Sequence, residues 1–199
     1  MDKKIEKYLE TNNIKYEVIQ HRKIYTAWTA AETQHTNPKE VVKTVLVKLD
    51  KKIAFLLRRE VGALTLLSSG EEPRDKVEKF NMLLVAVPAG KHLDFKKIDK
   101  FILDTQTKLY KKLVKSNPKL PKPIKVKTSI AKEKDIMGKL KSKYILSPLP
   151  VYNTPLLMDK KLTLNKNLIF SAGSFTESVK VPSKTYLKSV NPIIGQFSK

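Results

Sequence analysis

The chain has 199 residues, 41% of them hydrophobic, and its 40 Lys and Arg residues against 19 Asp and Glu give a formal charge of +21. This length and composition predict one domain over residues 1–199 with a sizeable core. The charge predicts a polyanionic partner, with nucleic acid favoured over an anionic membrane. The first residues lack a signal-peptide pattern and the apolar runs are too short to span a bilayer, so we expect a soluble, cytoplasmic protein with no membrane partner.

The residue types also argue against several kinds of site. The sequence has no cysteine, which excludes disulfides, thiolate nucleophiles and cysteine-ligated metals. Its three histidines, His21, His35 and His92, are scattered and form no metal-binding motif. No glycine-rich phosphate-binding loop or dinucleotide-binding turn is present. We therefore expect neither a cofactor nor a metal.

In the first half of the chain, hydrophobic periodicity and turn residues predict helices and strands in alternation. The predicted elements are a helix over 2–10, a strand over 14–20, a helix over 26–34, a strand over 41–48 and its hairpin partner over 52–58. Residues 61–80 mix charges with glycine and proline, and predict a surface insertion. A buried strand over 82–87 follows, and Asp94 is predicted to cap a long helix with one apolar face.

The second half begins with a basic, proline-rich linker over residues 115–127. Thr128 or Ser129 is predicted to cap a helix of two to three turns. Five short strands are then predicted, over 150–152, 156–158, 168–171, 178–181 and 193–197. This order favours an α+β fold, with a mixed curved β-sheet or partly closed barrel and flanking helices.

Residues 108–143 are strongly basic and contain only Glu133 and Asp135 as acids. This excess predicts an RNA-binding surface. The candidate RNA-binding residues are Lys108, Lys111, Lys112, Lys115, Lys119, Lys122 and Lys125. The alternative interpretation is a solvated helix and linker, because charge runs usually face water.

Lys43 interrupts an almost wholly apolar, β-branched strand. Because strand side chains alternate between faces, it shares its side with Val41, Val45 and Val47. An ammonium group there predicts a functional lysine. The alternative is an edge strand, from which the lysine reaches water along its own methylenes.

Four segments in the same order resemble the YbaK/ProX family. They are HRKIYT at 21–26, VVKTVLV at 41–47, LDFKK at 93–97 and LIFSAGS at 168–174. Members of this family are aminoacyl-tRNA deacylases or the homologous editing insertion of prolyl-tRNA synthetases. The resemblance implies a metal-independent ester hydrolase that removes a wrong amino acid, often alanine or cysteine, from proline tRNA. The implied partners are tRNA and an aminoacyl-tRNA synthetase.

The resemblance also implies roles for individual residues. Lys43 matches the family's functional lysine and would hold the ribose, phosphate or aminoacyl group. Gly173 and Ser174 match the pocket loop whose backbone N–H groups polarise the ester. The implied substrate-binding residues are His21, Thr26, Ser147, Pro148, Asp159, Ser171 and Ala172. A plain turn glycine, an exposed turn aspartate and a packed histidine are the alternatives for Gly173, Asp159 and His21.

The loop at 144–149 departs from the family because it keeps Ser147 and Pro148 but lacks flanking glycines. The shape of the pocket, and with it the amino acid removed, is therefore open. Two other function classes stay open as well. One is a non-catalytic RNA-binding relative, and the other is a module that docks on a synthetase.

Overall fold

The computed structural model describes residues 1–33, 36–55, 78–115, 122–136 and 145–199. The helices in these ranges are α1 (Lys3–Thr11), α2 (Ala27–Thr33), α3 (Phe95–Leu113), α4 (Glu133–Asp135) and α5 (Ser183–Val190). The strands are β1 (Glu17–Gln20), β2 (Val42–Phe55), β3 (Glu78–Pro88), β4 (Thr128–Ile130), β5 (Leu156–Asp159), β6 (Asn167–Ser171), β7 (Glu177–Pro182) and β8 (Ile193–Gly195). No helix in the described ranges is long and apolar enough to cross a membrane.

The strands form two sheets. One has three antiparallel strands in the order β1-β7-β6, and the other has five strands in the order β4-β2-β3-β5-β8. In the larger sheet β2 is antiparallel to β3 and β4, while β5 is parallel to β3 and to β8. A single bridge between Val41 and Ile169 joins the two sheets. The predicted α+β fold is confirmed, with the strands divided between two sheets.

The core lies on both faces of the larger sheet. Val42 and Leu46 of β2 belong to the cluster that also contains Phe170 of β6 and fills the space between the sheets. On the opposite face, Val47 of β2 packs in a cluster with Ile98 of α3. This alternation is the one predicted for the Lys43 strand.

The predicted hairpin partner over 52–58 is wrong for residues 52–55, because β2 continues to Phe55 and pairs with β3 through an irregularity between Lys48 and Ile53. Residues 56–58 lie outside the described ranges. Asp50 is not a turn residue. Its backbone N–H donates to the Lys127 carbonyl at 3.1 Å, and its carboxylate accepts from the Lys127 N–H at 2.9 Å. A polar pair inside a strand resembles a turn in sequence when its partners are distant in the chain.

The predicted cap at Thr128 or Ser129 is also wrong. Both residues belong to β4, and the Thr128 hydroxyl donates to the Asp99 carboxylate of α3. Helix α4 begins four residues after Ser129, at Glu133. Residues Pro150–Tyr152 form a 3-10 turn rather than a strand, and α5 was not predicted.

Several predictions fall on parts of the chain beyond the described ranges. These include most of the proposed insertion, over residues 61–77, residues 116–121 of the proposed linker with Lys119, His35, and the first residue of the 144–149 loop. They stay predictions.

Candidate functional site

A cavity of about 460 Å³ lies where the two sheets meet. Four parts of the chain form its walls: the segment that follows β1, the start of β2, the pair Ile145 and Leu146, and the end of β6 with the following turn. Ser178 of β7 completes the lining. The pairing of β2 explains its position. On one side, Val42 and Lys43 pair with β3. On the other side, β4 begins to pair with β2 only at Val47. Before Val47 no other described strand pairs with this side of β2, apart from the bridge at Val41. This free edge leaves the space that the cavity occupies.

Lys43 lines this cavity and carries its main charge. Its Nζ donates to the Lys91 carbonyl oxygen at 2.6 Å, and no carboxylate in the described part of the chain forms an ion pair with it. The side chain is half-buried, and this desolvation lowers the pKa of the ammonium below its usual 10.5. A half-buried cation with only a neutral partner favours an anionic or strongly dipolar ligand. The edge-strand alternative is correct about the edge but does not account for this environment.

His21 also lines the cavity, and its hydrogen bonds define its tautomer. Nδ1 lies 2.9 Å from the Arg22 carbonyl oxygen and Nε2 lies 3.0 Å from Ser178 Oγ. Because a carbonyl can only accept, Nδ1 carries the hydrogen, and in the neutral ring Nε2 accepts from the Ser178 hydroxyl. The Nε2 lone pair is therefore occupied by the Ser178 hydroxyl, which also lines the cavity.

The turn after β6 brings Ser171 and Ser174 to the cavity. Ser171 Oγ accepts from the Gly173 N–H at 3.1 Å and donates to the Ser174 carbonyl at 3.2 Å. Gly173 has φ +78°, and a Cβ at this position would lie 2.6 Å from the Asp2 Cβ. The glycine is therefore needed for the turn and for the close approach of the residues before α1.

The amide of Gly173 is occupied inside this turn, and that of Ala172 donates to the Glu177 carbonyl at 3.1 Å. By contrast, the backbone N–H groups of Ser174 and Phe175 form no hydrogen bond with any described residue. If this turn polarises an ester carbonyl, these two N–H groups are its available donors. The expected donor thus moves from Gly173 to the next residues.

Thr26 lines the cavity, and its Oγ1 accepts from the Thr29 N–H at 3.1 Å at the start of α2. Ser147 and Pro148 are buried behind the cavity wall. The Ser147 hydroxyl donates to the Ser171 carbonyl, and the Pro148 carbonyl accepts from the Tyr186 hydroxyl. These last two residues support the wall without forming it.

Asp159 lies elsewhere, which corrects both of its interpretations. It is buried at 1% exposure and does not line the cavity. Its carboxylate accepts from the N–H groups of Phe197 and Ser198, each at 2.8 Å, and from that of Lys161 at 2.9 Å. The C-terminal residues return to this point, so Asp159 anchors them.

The lining residues that were not predicted as site residues include Thr44, Ser178 and the aromatic residues Tyr25 and Phe175. Thr44 Oγ1 is buried without a hydrogen-bond partner in the described ranges. Thr44 follows Lys43 in the strand motif, which was the available signal. Strand alternation argued against Thr44 as a site residue, because it places Thr44 and Lys43 on opposite faces of the sheet. At a free strand edge, however, neighbouring residues from both faces can line the same cavity.

Of the predicted RNA-binding lysines, five have exposed side chains: Lys108, Lys111, Lys115, Lys122 and Lys125. The side chain of Lys112, like the whole of Lys119, lies outside the described part. Helix α3, which carries the first of these lysines, packs on the side of the larger sheet that faces away from the smaller one. These five side chains are exposed, and their role in RNA binding stays a prediction.

No protein-family model matches this sequence, and no curated protein matches it. Solved structures do share its fold. A crystal structure of the hypothetical protein APE2540 has 14% identity and a TM-score of 0.63, with 99% of this chain and 100% of that chain covered. A candidate trans-editing enzyme for prolyl tRNA synthetase has 13% identity and a TM-score of 0.62, with 98% and 95% covered.

The fold is also found within a longer chain. A candidate signal transduction protein from Marinobacter aquaeolei VT8 has 9% identity and a TM-score of 0.54, with 100% of this chain and 31% of that chain covered. At these identities the likeness shows the fold alone, and one fold serves several functions. The chain therefore has the fold of a candidate tRNA-editing enzyme, and its function has to be argued from the cavity.

Proposed function

We propose that this protein is an aminoacyl-tRNA deacylase of the YbaK/ProX type, which hydrolyses the ester of a mischarged tRNA without a metal. The observation that carries the proposal is Lys43, whose half-buried ammonium lines the cavity with a neutral carbonyl as its hydrogen-bond partner. The shared fold with a candidate trans-editing enzyme supports it. The expected substrates are alanyl or cysteinyl esters of proline tRNA, and a prolyl-tRNA synthetase is the expected second partner.

In the proposed reaction Lys43 binds the terminal ribose and phosphate, and so fixes the ester in the cavity. A water molecule attacks the ester carbonyl carbon and gives a proton to the Ser178 hydroxyl, which passes its own proton to His21 Nε2. The N–H groups of Ser174 and Phe175 stabilise the oxyanion that forms. The bond from this carbon to the ribose oxygen then breaks, and the ribose oxygen takes up the proton. The free amino acid and the tRNA leave.

The size of the cavity is consistent with a second selection step. A pocket discriminates between side chains that differ by one methylene by only about 1–3 kcal/mol, so a separate hydrolytic site is needed to remove small wrong amino acids. A space of about 460 Å³ has room for a small aminoacyl group with its ribose. Ile145 and Leu146 form part of its apolar wall, in the loop where the family resemblance implies glycines.

The test is hydrolysis of alanyl-, cysteinyl- and prolyl-tRNA for proline by the wild type, Lys43→Ala and Lys184→Ala. Lys184 is an exposed lysine of α5 that does not line the cavity, so its variant controls for the loss of one charge. We expect the wild type and Lys184→Ala to release one of the small amino acids and to spare prolyl-tRNA. Lys43→Ala should be at least about a hundredfold slower, as for loss of a positioning group.

The second candidate function is non-catalytic RNA binding, which is favoured by the exposed lysines on and after α3. In that case tRNA binds equally well to the wild type and to Lys43→Ala, and no ester is hydrolysed. A module that docks on a synthetase would instead show weak, salt-sensitive tRNA binding and salt-resistant co-purification with the synthetase.

A further inference from the structure

Two aromatic rings lie together at the mouth of the cavity. The centroids of Tyr25 and Phe175 are 5.3 Å apart, with an angle of 55° between the ring planes. Lys23 Nζ lies 5.4 Å from the Tyr25 centroid and 5.7 Å from that of Phe175. We call these three residues the aromatic platform. Tyr25 is 73% exposed although it also contributes to the cavity wall.

The platform is held in place by the backbone. The Ile24 N–H donates to the Phe175 carbonyl and the His21 N–H donates to the Thr176 carbonyl, each at 3.0 Å. These bonds tie the segment after β1 to the turn before β7, which are about 150 residues apart in the chain. Because the backbone that carries both rings is fixed in this way, it loses little further conformational entropy when a ligand stacks on them.

A large, exposed aromatic ring beside a lysine ammonium suits a particular class of ligand. Nucleobases stack on aromatic side chains through their flat faces, whatever their sequence, and a nearby lysine attracts the adjoining phosphate. The protein's net charge of +21 favours the same polyanionic partner. An apolar peptide would use the rings but not Lys23 or this charge.

We propose that the aromatic platform binds the base of the terminal nucleotide of a single-stranded RNA 3′ end by stacking on Tyr25. This inference rests on the proposed function and deepens it. The ester of an aminoacyl-tRNA is attached to the terminal ribose, so when the ester enters the cavity its base lies just outside. The platform occupies that position, and Lys23 attracts the phosphates of the preceding nucleotides.

The test uses an RNA hairpin with a single-stranded 3′ tail whose terminal base is 2-aminopurine, a fluorophore quenched by stacking. We expect quenching with the wild type and none with Tyr25→Leu or Phe175→Leu, which keep apolar bulk but lose the flat ring. Leu164→Ala is the control, because Leu164 is 79% exposed and lies away from the cavity. Circular dichroism checks that Phe175→Leu is folded, and Tyr25→Leu changes a side chain too exposed to be needed for folding.

A second tail, with an abasic terminal nucleotide, measures the contribution of the base. The wild type should bind it at least about fivefold more weakly than the complete tail, while Tyr25→Leu should bind the two tails equally. Quenching that persists in Tyr25→Leu, or wild-type binding that ignores the missing base, would overturn the proposal.

Deacylation by the wild type, measured in parallel, separates this inference from the proposed function. Base-dependent quenching without hydrolysis refutes the deacylase and supports the platform. Hydrolysis with no dependence on Tyr25 or on the terminal base refutes the platform and supports the deacylase.

Discussion

Replacing Asp159 should cost stability and leave the chemistry intact. In Asp159→Ala three backbone N–H groups, those of Lys161, Phe197 and Ser198, lose their acceptor. The hydrogen bonds from the Phe197 and Ser198 amides to the carboxylate are buried. Each buried donor left without an acceptor costs about 1–3 kcal/mol. The expected loss is therefore about 2–6 kcal/mol, with Lys161 adding little because its amide lies at the start of a more exposed turn.

Asp159→Asn refines this expectation. An asparagine side chain has one acceptor oxygen, which can accept from the N–H groups of Phe197 and Ser198 or from that of Lys161. Whichever it chooses, its NH₂ group then faces the remaining N–H donors. We expect a loss of about 1–3 kcal/mol, between the wild type and Asp159→Ala.

The assay is urea unfolding followed by circular dichroism, with ester hydrolysis measured well below the unfolding midpoint. Asp104→Ala is the matched control, because it removes an exposed carboxylate of α3 and should change the free energy of unfolding by no more than about 0.5 kcal/mol. If Asp159→Ala unfolded at the wild-type urea concentration but lost hydrolysis, Asp159 would belong to the site and its assignment as an anchor would be refuted.

Three further predictions follow from the cavity and its surroundings. Gly173→Ala should lower the free energy of unfolding by at least about 1–2 kcal/mol, because φ is +78° and its Cβ would lie 2.6 Å from the Asp2 Cβ; urea unfolding checks this, and an unchanged midpoint would contradict it. Burial lowers the pKa of Lys43 in the folded state, so between that pKa and 10.5 the unfolded chain binds more protons than the folded one. The stability of the wild type should therefore rise relative to that of Lys43→Met as pH increases through this window. Thermal unfolding checks this, and parallel curves of stability against pH for the two proteins would count against it. Replacing Lys108 and Lys111 together by alanine should reduce the salt dependence of tRNA binding by about 0.7–0.9 in log–log slope per lost phosphate contact, and an unchanged slope would favour the solvated-helix interpretation.

The sequence predicted the parts of the fold that depend on local pattern. The alternation around Lys43 gave its strand and the side it occupies, and Asp94 gave the start of α3, where its carboxylate accepts from the Lys97 N–H at 3.2 Å. Both features follow from residues within a few positions of each other. The division into two sheets depends on which strands meet, and no local pattern contains that information.

The candidate site divides in the same way. His21, Thr26, Lys43, Ser171 and Ser174 were predicted and line the cavity. The aromatic platform was not predicted, because its rings come from distant segments that carry no mark of their pairing. Nothing local in the sequence indicates that Asp159 is an anchor, because two of its three amide partners, those of Phe197 and Ser198, reach it only through the return of the C-terminal residues to β5.

The free edge of β2 has a consequence for the protein in solution. Unpaired strand edges are where a second chain adds in register, and proteins commonly protect them with a lysine that points into the edge. Lys43 lies on this stretch, so its charge also opposes intermolecular strand pairing. Removing it leaves an apolar edge over residues 42–46 open to such pairing, and Lys43 variants should therefore form oligomers at lower protein concentration than the wild type.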